Sequence, residues 1–457
     1  MLKLLVVSYA FPPQAEVGAL RLAHLCRYLP EYGIQPVVLT VQERFYSNLD
    51  RSIPFPREAK VVRTPVSSTP LDLYKRWFVH KETNGPQPGR AVGSPAVKEN
   101  ASAIRKNLIM LLQTPDPYWG WIFPAKAAVD KLVELEKPDA VFSSGPPWAS
   151  HIVAKHVKLT YGLPWFADYR DPWAHNETIK AMPAWRQWLD LRLEASCVRR
   201  TDLIICNTQT IRGVFRKAYP EIPEEKFAVL SNGFAEPEAG ESVVAPALPE
   251  GRRIMLHTGG LYSTRRVDTF MQAILHLAAS RRLNPAEFDV LLLGPADANI
   301  QTAGLDVLPE QLQRSFSMFQ PAVSWAAAQE IMHRADLLLL FQGTFRAQIP
   351  AKFFEYLRTG KPVFAVAEKG ALTDLIEETK SGQWADPANV SDIAEKLMLA
   401  LRMPARSPEA VRKDWDSRFN YQVLTGYLAG WVKRAVGQDQ RSEEDMKTVD
   451  AAVSKGK

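Results

Sequence analysis

A lysine and a glutamate three residues apart are the side chains in this sequence best placed to do chemistry. Lys352 and Glu355 lie in the stretch IPAKFFEYLRTGKPVF. Pro350 suits the first turn of a helix and Gly360 suits its end, so the stretch predicts a helix of about three turns. The preceding run, ADLLLLF at 335–341, is typical of a buried strand in a parallel sheet. The helix therefore follows the carboxyl end of a strand, where open α/β sheets bind ligands.

The chemistry of this pair suits an anion that lies next to hydroxyl groups. A helix N-terminus attracts anions, and the ammonium group of Lys352 strengthens that attraction. Glu355 shares the same helix face, and its carboxylate can accept hydrogen bonds from hydroxyls. A phosphate beside hydroxyls describes a nucleotide sugar. The spacing alone is equally consistent with an ordinary amphipathic helix that carries a solvated Lys–Glu pair.

A glycine loop, HTGGLYSTRR, follows another predicted strand in the second half of the chain. Gly259 and Gly260 let a donor phosphate approach the backbone. Arg265 and Arg266 are cations that can neutralise a diphosphate leaving group, with a solvent-facing arginine as the alternative for either. We favour Arg265 because it is nearer the end of the strand.

The first half has one glycine in the corresponding place. Gly18 lies between the first predicted strand and its helix, where a residue without a side chain lets backbone N–H groups reach a phosphate. The loop lacks the full G-x-G-x-x-G pattern, so a simple turn is also consistent with it.

Polar residues follow two further strands of the first half. His151 comes after SSGPPWAS, where it is better placed to contact a sugar than to enter a core, although a lone histidine is more often structural. The run ADYRDPW sets Asp168, Arg170 and Asp171 at a strand end, where a carboxylate can orient an acceptor hydroxyl. An Asp–Arg pair that ties down a loop fits the same pattern at least as well.

The sequence predicts no metal and no other cofactor. His151 and His156 are five residues apart, which is wrong for two ligands on one helix face, and no HExxH or Cys-x-x-Cys completes a set. Asp414 and Asp416 have the Asp-x-Asp form of many metal-dependent sugar transferases, but they lie in a charged helical segment far from any predicted strand end.

Length and composition predict two domains in a cytoplasmic protein. A chain of 457 residues exceeds the size at which one core usually stops growing. Its three cysteines, Cys26, Cys197 and Cys206, are too few and too scattered for a disulfide framework. The apolar run at the amino terminus breaks at a double proline and is expected to form a first strand. No apolar run approaches the roughly 20 residues of a membrane-spanning helix.

The net charge of +6 is unevenly distributed along the chain. Residues 1–234 carry an excess of roughly +8 and the remainder roughly −2. Much of that excess lies where aromatics and cations are mixed, as in LYKRWFVHK and PAWRQWLDLRLEASCVRR. Such segments are equally consistent with peripheral contact to an anionic membrane and with a solvated face whose aromatics pack inward. Nucleic acid is not an expected partner, because no recognition motif accompanies the charge.

Strands alternate with helices twice along the chain, which predicts an α/β protein with two doubly wound, Rossmann-like domains that face a central cleft. The first domain is expected at 1–234, with a flexible loop at about 84–97. The second is expected at 252–414. A helical segment at 415–436 is expected to pack back on the first domain, and residues 437–457 are expected to form a disordered tail.

Taken in order, these motifs resemble the group 1 glycosyltransferases of family 4, which have the GT-B fold. The segments that carry the resemblance are SYAFPPQAEVGALRLAHLCRYLPEYGIQPVVLT, SSGPPWASHIVAKHVKLTYGLPWFADYRDPW, VLSNGF, HTGGLYSTRRVDTFMQAI and IPAKFFEYLRTGKPVFAV. The resemblance implies a retaining, metal-independent hexosyltransferase that moves a sugar from a nucleotide-sugar donor to a saccharide or lipid-linked acceptor. It places the donor on the second domain and the acceptor on the first, and suggests bacterial cell-surface polysaccharide or glycoconjugate synthesis.

The resemblance also implies roles for individual residues. Gly18 corresponds to the glycine loop near the donor phosphates, and His151 to the first-domain histidine near the reacting sugar. Arg265 and Lys352 correspond to two cations on the diphosphate. Glu355 corresponds to the second acid of the Glu-x7-Glu motif, which has a ribose-binding role.

The first acid of that motif is replaced in this chain. The position eight residues before Glu355 is Ala347, so the contact to the hydroxyls of the transferred sugar is expected from another residue, Gln348, or is absent. Two alternatives to a transferase stay open. A GT-B-type nucleotide-sugar epimerase would need no acceptor, and a catalytically inactive glycosyltransferase-like protein would bind without turnover.

Overall fold

The computed structural model describes residues 1–70, 103–236, 248, 251–261, 265, 267–297, 323–343 and 345–438. The chain divides into two compact units. The first comprises Met1–Ser231 and the described chain from Leu424 onward, and the second comprises Asn232–Val423. The predicted loop at 84–97 lies outside the described residues, as does the predicted tail from residue 439 onward.

The first unit is built on a seven-stranded parallel sheet. Its order is β3-β2-β1-β4-β5-β6-β7. The strand order reverses between β1 and β4, and this switch point is where such sheets bind ligands. The strands are β1 (Leu2–Val7), β2 (Ile34–Val41), β3 (Lys60–Thr64), β4 (Ala140–Gly145), β5 (Trp165–Tyr169), β6 (Leu203–Cys206) and β7 (Phe227–Val229).

Helices connect the strands of the first sheet. They are α1 (Val17–Tyr28), α2 (Ala103–Leu112), α3 (Ile122–Glu136), α4 (Ala149–Tyr161), α5 (Glu177–Lys180), α6 (Ala184–Val198) and α7 (Gln209–Ala218). The first of them shows how the local sequence sets a boundary. A 3-10 turn, Leu29–Tyr32, continues α1, and Gly33 then takes the left-handed φ of 73° that ends it.

The second unit is built on a five-stranded parallel sheet of order β12-β11-β10-β8-β9. Its strands are β8 (Arg253–Thr258), β9 (Phe288–Leu293), β10 (Leu337–Phe341), β11 (Val363–Val366) and β12 (Gly382–Ala385). Its helices are α8 (Val267–Ala279), α9 (Trp325–Arg334), α10 (Ala351–Thr359), α11 (Ala371–Thr379), α12 (Val390–Ala400), α13 (Pro408–Val411) and α14 (Ser417–Phe419), with a π-helical turn at Arg412–Asp416. A last helix, α15 (Tyr421–Ala435), passes into the first unit, where Gly426 lies against Tyr32.

Alternate residues of the central strand enter different cores. Leu337, Leu339 and Phe341 of β10 pack in the cluster that contains α8 and α12. Leu338 and Leu340 pack in the cluster that contains α9, α10 and α11. Because successive strand residues point to opposite faces, an unbroken apolar run is what a strand covered on both faces requires.

The predicted fold class is confirmed, since both sheets are parallel and have helices on their connections. Two short edge strands, β7 and β12, were not predicted. β12 has the sequence GQWA, which shows neither an apolar run nor clear alternation. In the described part of the chain, no helix is both long enough and apolar enough to cross a bilayer. All three cysteines are buried as free thiols.

A buried ion pair ties α1 to the centre of the first sheet. Nε and Nη2 of Arg21 donate to the two carboxylate oxygens of Asp168 on β5, at 3.1 and 2.9 Å, and neither side chain is exposed. The other donors of Arg21 reach the carbonyl oxygens of Ser231, at 2.7 Å, and Leu230, at 2.8 Å, just after β7. The carboxylate also accepts the hydroxyl of Ser144, at 2.6 Å. The pair therefore holds together α1, β4, β5 and the segment that follows β7.

Replacement of Asp168 should be strongly destabilising. Asp168→Asn removes the negative charge and leaves Arg21 buried without its counter-ion, which typically costs about 3 kcal/mol or more. The free energy of unfolding from denaturant titration measures the loss. Glu177→Gln is the matched control, because Glu177 forms an exposed pair with Lys180 whose loss should cost at most about 0.5 kcal/mol. Equal losses in the two variants would contradict a structural role for the buried pair.

Candidate active site

The carboxyl ends of β8 and β10 lie side by side at the switch point of the second sheet. β8 leads into the loop that starts at Gly259, and β10 leads through residues 342–350 into α10. As predicted, α10 starts directly after Pro350 and ends at Gly360, whose φ of 69° is left-handed. The glycine loop and the first turn of α10 therefore meet at the edge of the sheet where ligands bind.

Lys352 lies directly against the backbone of the glycine loop. A Cβ atom at Gly259 would lie 2.2 Å from Nζ of Lys352, and the φ of +117° at Gly259 is one that residues with side chains rarely adopt. Gly294 makes room for the same loop, since a Cβ there would lie 2.5 Å from the carbonyl oxygen of Gly259. Two residues without side chains thus allow the ammonium group to reach the main chain.

Burial lowers the pKa of Lys352 from its usual value to about 8. The carboxylate of Glu355 acts in the opposite direction and raises this pKa, while the positive charge of Arg265 lowers it further. A half-buried ammonium group that lies within range of a second cation gains stability from an anion that reaches it.

Arg265 belongs to the same junction. Its Nη1 donates to the carbonyl oxygen of Gly260, and its side chain is half-buried. The structure thus brings the predicted residues Gly260, Arg265 and Lys352 together where the glycine loop meets α10. Arg266 lies outside the described residues.

Glu355 is held in place by α9. Its Oε1 accepts hydrogen bonds from Nε1 of Trp325, at 2.9 Å, and from Nε2 of Gln329, at 3.1 Å. The amide oxygen of Gln329 accepts in turn from Arg358, at 2.8 Å. The sequence analysis did not identify Trp325 or Gln329, because only the fold brings α9 against α10. The ribose-binding role of Glu355 stays a prediction.

Two further residues that the sequence analysis missed orient α10. The hydroxyl of Tyr356 accepts the N–H of Thr258 at 3.1 Å and donates to the carbonyl oxygen of Leu339 at 3.3 Å. Nδ1 of His257 pairs with that same carbonyl oxygen at 2.9 Å. Burial, followed by the charge of Lys352, lowers the pKa of His257 to about 3, so its ring is neutral. These contacts join β8, β10 and the helix that carries Lys352.

The loop between β10 and α10 contains the position of the missing acid. Nε2 of Gln342 donates to the carbonyl oxygens of Phe345 and Gln348, at 2.8 and 2.9 Å, and so folds the loop. Ala347 occupies a turn in this loop, and Gln348 next to it is half-buried. Gln348 therefore lies in the loop that leads into the helix of Lys352, and its predicted contact to a sugar stays a prediction.

His151 is fully buried on α4, in the first unit. Its Nδ1 pairs with Oγ of Ser143 at 2.8 Å, and that oxygen also accepts from Nε1 of Trp165 at 2.8 Å. Burial lowers the pKa of His151 to about 3, so the ring is neutral. Nε2 has no hydrogen-bond partner among the described residues and lies next to Gly145, where a Cβ atom would be 2.8 Å away. His151 therefore lies in the core, contrary to the expectation that it is better placed to contact a sugar, and its role near a sugar stays a prediction.

Gly18 lies against the guanidinium group of Arg170. A Cβ atom at Gly18 would be 2.4 Å from Nη1 of Arg170, and Nη2 of Arg170 donates to the carbonyl oxygen of Pro146. The space that the sequence analysis assigned to a donor phosphate is therefore filled by an arginine. Arg170 and Asp171 are half-buried at the carboxyl end of β5. Their predicted acceptor-binding roles stay predictions.

Asp168 does not offer the open carboxylate that the sequence analysis expected. It is fully buried, and its two oxygens accept from Arg21 and Ser144. An acceptor hydroxyl would have to displace these donors, so the position of Asp168 fits a structural role instead. The sequence is also consistent with an Asp–Arg pair that ties down a loop. The structure contains such a pair, but its arginine is Arg21, 147 residues away, and not the neighbouring Arg170.

Two carboxylates that the sequence analysis did not single out lie at the same edge. Burial raises the pKa of Glu16, at the start of α1, and the charge of Arg170 lowers it. Burial also raises the pKa of Asp116 to about 6. Asp116 accepts the backbone N–H groups of Tyr118, at 2.8 Å, and Ala149, at 3.0 Å, and so caps α4 from a distant loop.

The described part of the chain contains no group of three or more His, Cys, Asp or Glu side chains arranged to hold a metal ion. Asp414 pairs with Arg406 at 3.1 Å, in the π-helical turn near the end of the second unit.

Comparison with known proteins gives one family. Residues 18–233 match the model of the glycosyl transferase 4-like domain. This segment contains α1 from its second residue onward and includes Gly18, His151 and Arg170. Comparison with curated protein sequences gives no match.

Solved structures with the same fold include two glycosyltransferases of lipopolysaccharide synthesis and a protein in complex with UDP-glucose. WaaG, a glycosyltransferase involved in lipopolysaccharide biosynthesis, is 15% identical over 100% of both chains, with a TM-score of 0.54. The lipopolysaccharide outer core galactosyltransferase WaaB is 11% identical over 94% of this chain and 100% of its own, with a TM-score of 0.55. Alr3699/HepE from Anabaena, in complex with UDP-glucose, is 14% identical over 95% and 100%, with a TM-score of 0.55.

The pKa of Lys352 should respond in opposite directions to its two charged neighbours. Glu355→Gln removes the carboxylate that favours the ammonium form and should lower this pKa below about 8, while Arg265→Gln removes a repelling cation and should raise it. The pH dependence of lysine acetylation, followed at Lys352 by mass spectrometry, measures both changes. Arg402→Gln, an exposed arginine at the end of α12, is the control and should have no effect. Shifts of the same sign in both site variants would contradict the arrangement.

Proposed function

We propose that this chain, whose residues 18–233 belong to the glycosyl transferase 4-like family, transfers a sugar from a nucleotide-sugar donor to a saccharide or lipid-linked acceptor. The observation that carries the proposal is the junction of Gly259, Arg265 and Lys352 at the switch point of the second sheet. At this junction a phosphate can approach the backbone of the glycine loop, two cations lie nearby and a helix begins. These three features together suit a diphosphate.

The donor lies at this junction with its diphosphate between the cations. Arg265 and Lys352 contact the phosphate oxygens, and the fixed carboxylate of Glu355 accepts hydrogen bonds from ribose hydroxyls. The spacing supports this arrangement, because Glu355 is one helical turn from Lys352 and already anchored by Trp325 and Gln329. The UDP-glucose complex of Alr3699/HepE, which has the same fold, supports a uridine nucleotide as the first donor to test.

The transfer retains the anomeric configuration and uses no metal. The acceptor oxygen forms a bond to the anomeric carbon on the face from which the diphosphate departs. The bond from that carbon to the diphosphate oxygen breaks, its electron pair stays on the oxygen, and the acceptor proton moves to the departing phosphate. Arg265, Lys352 and the α10 N-terminus stabilise the developing negative charge, the role that a divalent ion has in other transferases.

The first unit supplies the acceptor contacts. Arg170 and Asp171 are the side chains that we assign to the acceptor, because both lie half-buried at the carboxyl end of β5. We also assign His151 of the first unit to sugar binding through Nε2, the ring nitrogen that has no hydrogen-bond partner among the described residues. The lipopolysaccharide roles in the names of WaaG and WaaB support a place in bacterial cell-surface glycoconjugate synthesis, on the cytoplasmic side of the membrane.

A donor panel tests the proposal and separates it from its alternatives. Calorimetry with UDP-, GDP- and TDP-sugars identifies the donor, and the anomeric proton coupling of the product, measured by NMR, tests retention. Conversion of the donor to an epimer without an acceptor would instead show an epimerase. Donor binding without turnover for any acceptor would show a binding protein. Ala347 is consistent with that outcome, because it replaces the first acid of the Glu-x7-Glu motif.

Replacement of Lys352 should abolish measurable UDP binding. Lys352→Ala removes a half-buried cation from the phosphates, and the expected loss of affinity is about 100-fold or more. In the unmodified protein, UDP affinity should fall as the pH rises above about 8, because the ammonium group then loses its proton before the ligand binds. Isothermal titration calorimetry measures both effects. Lys361→Ala, just beyond the other end of α10, is the control, and unchanged affinity in Lys352→Ala would contradict the site.

The glycine loop gives a second variant for the same measurement. Gly259→Ala places a methyl group where the ammonium of Lys352 lies and should weaken UDP binding about tenfold or more. Gly33→Ala is the matched control, since Gly33 also has a positive φ, of +73°, but a Cβ atom there meets nothing within 4 Å. It should cost roughly 1 kcal/mol of stability and no affinity.

A further inference from the structure

Helix α6 buries three of its four charged residues and exposes two of its large apolar residues. Asp190 and Glu194 are fully buried and Arg186 nearly so, whereas Trp188 is 57% exposed and Leu191 is 40% exposed. In a soluble protein, an amphipathic helix normally buries its apolar face. The sequence analysis left open whether the aromatics of this segment pack inward, and the structure shows that Trp188 does not.

The inward residues of α6 are satisfied by hydrogen bonds. Arg186 pairs with Asp190, which also accepts Nε1 of Trp173 at 3.1 Å. Glu194 accepts the N–H of Ala174 at 2.8 Å, Nδ1 of His175 at 2.6 Å and the hydroxyl of Tyr219 at 2.7 Å. This network determines which side of α6 faces the protein, and so it places Trp188 and Leu191 on the surface.

Helix α2 is joined to α6 and also exposes apolar side chains. Nη1 of Arg186 donates to the carbonyl oxygen of Met110 at 2.8 Å, and Nε1 of Trp185 donates to Oδ1 of Asn107 at 3.2 Å, so the two helices are joined. Leu108 and Leu111 of α2 are 48% and 51% exposed and, three residues apart, share one helix face. We call the four residues Leu108, Leu111, Trp188 and Leu191 the apolar face.

The two helices that form the apolar face expose no acid of their own. The sequence of α2, AIRKNLIMLL, contains two cations and no acid, and both acids of α6 are buried in the network. Arg192 is exposed and lies over the ring of Trp188, with its guanidinium carbon 5.0 Å from the ring centroid. Neither helix therefore presents an exposed carboxylate.

We propose that the apolar face docks the first unit on an anionic lipid bilayer. Trp188 and the leucines enter the headgroup region, and Arg192 remains beside the lipid phosphates, the arrangement typical of interfacial helices. A second copy of the chain is a poorer occupant, because a two-fold contact would bring the exposed Arg192 of both copies together with no exposed acid on either helix to pair with it. The proposal does not depend on the transfer reaction.

Vesicle sedimentation of the full chain tests the proposal. Vesicles of phosphatidylglycerol and phosphatidylcholine should bind the protein, vesicles of phosphatidylcholine alone should bind it about tenfold less, and added salt should weaken binding. The double variant Trp188→Ser and Leu191→Ser should lose about tenfold or more of the affinity, and Arg192→Gln a smaller part. Circular dichroism establishes that the variants are folded.

Matched controls come from the second unit. Leu399→Ser replaces a leucine that is 48% exposed on α12, and Arg402→Gln replaces an exposed arginine, and neither should change vesicle binding. Equal binding by the double variant and the unmodified chain would overturn the proposal. So would a dimer in gel filtration that the double variant converts to a monomer, because a second copy would then cover the face.

Discussion

The contact between the ammonium group of Lys352 and the main chain of Gly259 is the constraint on which the candidate site depends. It requires a residue without a side chain at position 259 and a second one at position 294, since a Cβ atom at either place would collide with its neighbour. It also partly removes Lys352 from water, which lowers its pKa and leaves the charged form dependent on nearby negative groups. A phosphate would be such a group, and the N-terminus of α10 favours the same charge.

Charged side chains that are removed from water have different partners in the two units, and this difference distinguishes structural from functional residues. In the first unit, Arg21 and Asp168 are fully buried and satisfy each other and the surrounding carbonyl and hydroxyl groups. Neither member of this pair needs a ligand, because each already has its partners, and removal of either one would leave the other as an uncompensated buried charge. Lys352 has a neighbouring carboxylate, Glu355, but also a neighbouring cation, so an anion improves its environment. A perturbed cation at a switch point is therefore the stronger indication of function.

Polar networks also decide what the surface of the first unit offers. In α6 the ionic residues hold the helix to the protein, and Trp188 is consequently left in solvent with Arg192 over its ring. The exposed apolar side chains of α2 and α6 thus follow from the way in which Asp190 and Glu194 find their partners. The buried acids on one side of α6 and the exposed apolar side chains on the other therefore have the same cause.

Sequence patterns were sufficient for the fold class and for the position of Lys352. The apolar runs of β8 to β11 and the Pro350 and Gly360 boundaries of α10 are local signals, and each depends on residues within a few positions. Short edge strands such as β12 gave no such signal, because their pairing comes from a neighbour rather than from their own pattern.

The sequence by itself determined that two parallel α/β sheets form and that a glycine loop and a cationic helix follow strands of the second sheet. Only the tertiary structure decided which groups meet. Arg21 reaches Asp168 across 147 residues, Trp325 reaches Glu355 across 30, and the acids of α6 turn inward to partners on other elements. The physical reason is that secondary structure depends on neighbours along the chain, whereas a charge or hydrogen bond is satisfied by whatever group the fold brings within about 3 Å.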